Sequence, residues 1–182
     1  PFYMQEYFNK AQIVDKEGQT RPLVAKEEKI VVTGKTPADF VSGGITPMQS
    51  ASLLLILVAG ISIYGIRRGK TLWGIDLILF LIAGIAGCIL AFLALFSQHP
   101  AVSPNYILFV FHPFHLFCLP FMLSRVRKRE ISRYMLVNFA VLTLFIGLWT
   151  IIPQRIPPAV LPLALCLLIR SASNLILTYK RK

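Results

Sequence analysis

The sequence predicts an all-α integral membrane protein: a five-helix transmembrane bundle, N-terminus outside and C-terminus inside, preceded by a small α+β extramembrane segment. Three observations carry that expectation. Five apolar stretches follow Pro47, each close to the roughly 20 residues a helix needs to cross a hydrocarbon core of about 30 Å. The Lys and Arg residues between them fall almost entirely on alternate loops. Before Pro47, by contrast, the residues are mixed and polar. With 55% hydrophobic residues and a mean hydropathy of +0.66, the chain lies far above the usual mix of a soluble domain.

Residues 1–47 form the expected extracytoplasmic head and linker, and 48–182 the transmembrane domain. In the head, Phe2, Tyr3, Tyr7, Phe8 and Ala11 recur at roughly helical spacing and predict a short amphipathic helix over Phe2–Ile13. Asp15-Lys16-Glu17-Gly18 is a turn signal, and Lys29–Thr33 is a strand candidate rich in β-branched residues, ended by Gly34 and Pro37. So short a segment buries only a small core; it is expected to pack against a neighbouring domain or the membrane surface. Val41–Pro47, with Gly43, Gly44 and Pro47, reads as the linker into the first span.

The spans are expected at Met48–Ile66, Leu72–Phe96, Tyr106–Leu123, Tyr134–Ile152 and Ala159–Tyr179. None alternates strictly as a barrel strand does and each is too long for one, so a helix is the form that satisfies its backbone in lipid. Ala83, Gly84, Ala86, Gly87 and Cys88 put small residues on one side of the second span, a spacing that allows close helix approach. Pro157, Pro158 and Pro162 read as the turn into the fifth, with Pro162 tolerated in the first helical turn.

Charge sets the expected orientation. Arg67, Arg68 and Lys70 follow the first span; Arg125, Arg127, Lys128, Arg129 and Arg133 follow the third; Lys180, Arg181 and Lys182 close the chain. By the positive-inside rule these clusters face the cytoplasm. The alternate loops, Ser97–Asn105 and Pro153–Pro158, hold a single basic residue, Arg155. The formal net charge of +11 does not point to nucleic acid, because residues 1–47 balance six basic side chains with six acidic ones. The excess sits in the membrane part, where topology and anionic lipid heads explain it.

Cys88, Cys118 and Cys166 lie within apolar spans, where a thiol behaves as a small buried hydrophobe. A disulfide between Cys88 and Cys166 is conceivable, although sequence does not establish proximity. No metal-binding spacing, no cofactor motif and no catalytic constellation of the Ser/His/Asp or Cys/His kind is recognisable, and no inverted pair of broken helices suggests a transporter.

Two polar constellations stand out in the spans, since a buried ionisable group is costly unless paired or wet. Asp76 sits one turn from the inner end of the second span, and Arg170 about 13 Å from the inner end of the fifth. They are a candidate intramembrane ion pair, with Ser173 and Asn174 helping to satisfy the guanidinium, or else a charge site for an anionic lipid head or substrate. The second constellation comprises His99, Asn105, His112 and His115, the candidate lipid- or substrate-proximal residues. His112 and His115 are three apart, hence on one helical face, roughly 9 to 14 Å below the outer boundary. Pro113 removes a backbone donor between them and bends the helix. The histidines either shuttle protons, their unperturbed pKa being about 6.5, or donate to a carbonyl freed by the kink.

Gly18-Gln19-Thr20-Arg21-Pro22-Leu23-Val24, then Phe96-Ser97-Gln98-His99-Pro100 with Asn105-Tyr106, and the stretch Phe111-His112-Pro113-Phe114-His115-Leu116 together resemble the C-terminal membrane portion of the Lnb-type proteins of Bacteroidota. The resemblance covers nearly all of the chain. It implies a thiol-dependent acyltransferase linked to lipoprotein N-acylation, seated in the bacterial inner (cytoplasmic) membrane with the head on the periplasmic side. The catalytic Cys and His that it implies belong to an exported N-terminal domain, so no residue here inherits those roles. The chain starts at Pro1 with neither an initiator Met nor an export signal, and an upstream part is accordingly expected to have been removed. The expected partners are membrane lipids, the upstream exported domain or a partner protein, and lipoproteins, with no cofactor. The competing expectation is a non-enzymatic accessory or scaffold subunit of a membrane complex.

Overall fold

The computed structural model describes residues 7–16, 18–24, 44–97 and 104–180, and the chain divides into two compact units, residues 1–44 and 45–182. In the first unit residues 7–10 are helical. Gln12–Val14 (β1) and Thr20–Pro22 (β2) pair antiparallel with Ile13 opposite Arg21. The helix expected over Phe2–Ile13 therefore gives way by Ala11, because Ile13 and Val14 are β-branched and the turn behind them closes a hairpin. Asp15 Oδ1 accepts from the Gln19 amide at 2.9 Å, and Gly18 takes the left-handed φ of 79° that the turn requires. The strand candidate Lys29–Thr33 lies outside the described residues.

The second unit is helical. Pro47–Arg68 (α1) opens on a capping box: Thr46 Oγ1 accepts from the Gln49 amide at 3.2 Å while Gln49 Oε1 accepts from the Thr46 amide at 2.9 Å. Pro47 at the first helical position costs no hydrogen bond, and Gly69, at φ 63°, ends the helix in the left-handed conformation. Trp73–Phe96 (α2) and Val160–Tyr179 (α6) complete the three helices that are, among the described residues, long and apolar enough to cross a membrane.

The third and fourth stretches depart from the single helices expected. Tyr106–Leu123 is not one helix. A 3-10 turn at Tyr106–Phe109 is followed by the one-turn Phe114–Phe117 (α3), then by Leu119–Arg127 (α4), and the segments either side of Cys118 are bent by 76°. Two prolines are the reason: Pro113 leads α3 and Pro120 lies in the first turn of α4, so each restarts a helix where its missing N–H is harmless. Arg133–Gly147 (α5) stops five residues before the expected end at Ile152. Gly147 is a weak helix former, and Pro153 disfavours helical backbone at the residue before it. Leu148 to Ile152 instead form turns, with the Ile151 and Ile152 amides donating to the Leu148 carbonyl.

α6 is the most buried of the three long helices and packs against both α1 and α5, while α2 packs against α3 and α4. Phe80, Val110, Leu142 and Ala164 have no exposure at all and centre a core completed by Met122, Met135, Phe145 and Leu167.

Candidate lipid-facing site

The broken third segment is held close to α2 because α2 carries glycines where it crosses. A Cβ placed on Gly84 would lie 2.6 Å from the Leu116 amide nitrogen, and one on Gly87 2.7 Å from the His112 Cα. Only hydrogen at those positions lets the backbones approach so closely. Gly87 stands nine residues before Phe96, so His112 meets α2 about 13 Å from that end of the helix.

His115 is fully buried and doubly tethered. A carbonyl only accepts, so the Nε2–H donates to Val110 O at 2.9 Å. That leaves Nδ1 to accept from the Tyr134 hydroxyl at 2.6 Å. The imidazole thus satisfies a carbonyl left without a helical partner by the break before Pro113, and ties the broken segment to the start of α5. Phe80 packs edge-on at 5.2 Å between ring centroids. His112 stacks on His115 with centroids 3.9 Å apart, and its buried Nδ1 has no hydrogen-bond partner.

The other expected members of this constellation lie elsewhere. Asn105 Oδ1 accepts from the Ile107 amide at 3.2 Å, capping the 3-10 turn, and among the described residues no hydrogen bond joins it to His112 or His115. Next to it the Tyr106 amide donates to Gln154 Oε1 at 2.7 Å, fastening the segment to the loop before α6. His99 lies outside the described residues.

Asp76 and Arg170 are brought together, both with no exposure. Arg170 Nε donates to Asp76 Oδ1 at 2.7 Å and its Nη2 to Oδ2 at 3.0 Å, a bidentate fork. Ser62 Oγ on α1 accepts from Nη1 at 3.0 Å and the Thr71 carbonyl from Nη2 at 2.8 Å. Asn174 does not serve the guanidinium as expected; it donates to Asp76 Oδ2 at 3.0 Å. Nor does Ser173, whose hydroxyl is buried without a partner. The anion at Arg170 is therefore a carboxylate of the same chain, and the charges close three helices on one another. Ser62 and Thr71 escaped the sequence reading. The signal for Ser62 is no more than a hydroxyl between two isoleucines, in a helix that carries other hydroxyls, and Thr71 acts through a backbone carbonyl that any residue carries. A second polar link, Asn138 Nδ2 donating to Ser171 Oγ at 2.9 Å, joins α5 to α6.

Two apolar grooves flank the 106–112 segment. One, of about 490 Å³, lies between α1, α2 and α6 and is lined by Leu54, Ile82, Ala86, Ile89, Phe111 and Leu163 among others. The second, of about 640 Å³, runs along α5 with His112 and Tyr134 in its wall. Ile82 and Ile89 are 61% and 56% exposed, so the first groove opens sideways, where lipid surrounds a spanning bundle. Cys88, Cys118 and Cys166 carry free thiols. Among the described residues no three His, Cys, Asp or Glu side chains converge as metal ligands do.

No curated protein and no solved structure is matched by the chain. The family model of the Lnb transmembrane domain, however, matches residues 39–182, a range that takes in α1 to α6, the glycine-backed break of the third segment and the Asp76–Arg170 lock. The chain accordingly belongs to the Lnb transmembrane domain family.

Proposed function

We propose that this bundle is the membrane-anchoring, lipid-presenting domain of an inner-membrane acyltransferase acting on lipoproteins, with the catalytic domain upstream of Pro1. Family membership supports the membrane role. The observation that carries the lipid role is the apolar groove of about 490 Å³ between α1, α2 and α6. It includes Leu54 and Leu163, near the starts of α1 and α6, at the end of the bundle from which the chain leads back to the head. An acyl chain lying there is desolvated by the groove while its ester or amide end stays at the surface where an exported domain works.

Charge supports the orientation. Arg127 stacks over the Trp73 ring, 3.7 Å from its centroid, and Arg129 donates to the Gly69 carbonyl. The basic clusters after α1 and α4 are thereby gathered at one end, which the positive-inside rule assigns to the cytoplasm. In this reading the bent third segment makes one crossing. α5, 15 residues long and thus about 22 Å, makes another with the help of Leu148–Ile152. That gives five.

Filling the groove tests the proposal. In the full-length protein Ala86→Phe is expected to lower lipoprotein N-acylation at least about tenfold at unchanged abundance, while Ile85→Phe, one residue away on an outward face, leaves it intact. Undiminished acylation in Ala86→Phe defeats the lipid-presenting role and leaves anchoring, as the scaffold alternative has it.

A further inference from the structure

At the basic end a second cavity, of about 1160 Å³, lies between α4 and the start of α5. Its charged lining is Arg125, Lys128, Arg133 and one carboxylate, Glu130, which pairs with Arg125. The neighbouring cations turn away from it: Arg127 stacks on Trp73 and Arg129 reaches the Gly69 carbonyl. Among the described residues the lining thus carries more basic than acidic side chains, Arg133 adding a cation beyond the Arg125–Glu130 pair. It adjoins the apolar groove of about 640 Å³ along α5, and Cys118, Arg133 and Tyr134 line both. From Arg133 that groove climbs α5 to Val141, a rise of about 12 Å, inside the range of about 300 to 1,000 Å³ typical of ligand sites. Phe109, Phe114 and Val137, which line it, are more than half exposed.

We propose that this compound cavity is a site for one anionic glycerophospholipid of the leaflet at the basic end, phosphate in the basin and one acyl chain in the groove below His112. The charge order dictates that occupant. A phosphate meets Arg133 where groove and basin join, with Lys128 farther along the basin's lining, and its tail continues into a channel with almost no polar lining. A soluble anion leaves that channel empty, and a zwitterionic lipid brings its own cation to a basin already positive. Trp73, under Arg127, supports reading this level as the membrane interface, where aromatic rings settle. The lipid stitches α4 to the start of α5, where the Tyr134 to His115 hydrogen bond already ties α5 to α3. This site is separate from the groove of the preceding section and opens at the opposite end of the bundle, so either stands without the other.

Native mass spectrometry of the full chain in neutral detergent decides it, with titration by phosphatidylglycerol, by phosphatidylcholine of the same acyl chains, and by inorganic phosphate. One phosphatidylglycerol is expected to bind, favoured at least about tenfold over phosphatidylcholine. Lys128→Gln with Arg133→Gln should weaken it about thirtyfold, the effect of two cations near a membrane surface. Arg67→Gln with Lys70→Gln removes the same charge at the end of α1 and should change affinity less than about twofold, given how short the reach of surface charge is in salt. Equal losses in the two pairs overturn the site in favour of annular lipid. The tail is tested on the unaltered chain: phosphatidylglycerol with truncated acyl chains must bind more weakly. Binding independent of chain length, or full competition by inorganic phosphate, reduces the basin to a plain anion site and overturns the proposal.

Discussion

Arg170 shows how a single side chain commits a membrane fold. Its guanidinium reaches a carboxylate on α2, a hydroxyl on α1 and the carbonyl of Thr71 in the turn between them. Removing one partner of a buried pair leaves the other charge stranded, a loss of about 3 to 5 kcal/mol, whereas replacing both by apolar residues is often near neutral. Arg170→Leu or Asp76→Leu is therefore expected to lower the melting temperature of the purified protein sharply, and the double replacement to recover most of the loss. If the double variant melts no higher than the singles, the pair is not the unit that stabilises the bundle. His115 is a smaller instance of the same rule: both ring nitrogens are occupied, by Val110 and Tyr134. That leaves His112, with its unpartnered Nδ1, as the imidazole with bonding capacity to spare.

Among the elements, the third segment depends on its neighbour. Pro113 and Pro120 break it into pieces too short to persist in isolation, and Gly84 and Gly87 of α2 supply the surface on which the pieces lie. Alanine at Gly87 is a good helix residue and would help an isolated α2 by roughly 1 kcal/mol. Here its methyl meets backbone, which cannot rotate aside, and overpacking of this kind costs about 1 to 3 kcal/mol. Gly87→Ala and Gly84→Ala are thus expected to destabilise the protein, measured as a lower midpoint of thermal unfolding, while Gly74→Ala, with open space at its Cβ, is neutral or mildly stabilising. A Gly87→Ala protein as stable as the parent would contradict the close approach. The small residues of α2 were visible in the sequence. Pro113 announced a bend, but that their partner is a segment split into a 3-10 turn and two short helices was not visible, because the apolar run from Tyr106 to Leu123 gives one unbroken hydropathy signal.

For the molecule as a whole, the prediction is topological. Single cysteines at Gln49 and Lys180, placed in a chain whose native cysteines are replaced by Ser, should label oppositely in intact spheroplasts: the first by a membrane-impermeant maleimide from outside, the second only after lysis. Labelling of Lys180→Cys from outside would invert the bundle. It would carry the proposed acyl groove to the wrong face for the exported catalytic domain we propose, and move the proposed phospholipid basin to the outer leaflet.

Composition and loop charge determined by themselves that this chain is a helical membrane domain, and placed α1, α2 and α6 to within two residues of their ends, because hydrophobic thickness and chain length are properties of local sequence. They also singled out Asp76, Arg170, His112 and His115, since polar groups in apolar runs are conspicuous. Only the tertiary structure decided which of these meet. It set Tyr134 and Val110 against His115, moved Asn174 from the guanidinium to the carboxylate, and put a basic basin beside an apolar groove. Apart from Val110 with His115, five residues apart in one broken segment, these pairings join residues distant along the chain, and distances between helices are fixed by packing, which no single segment encodes.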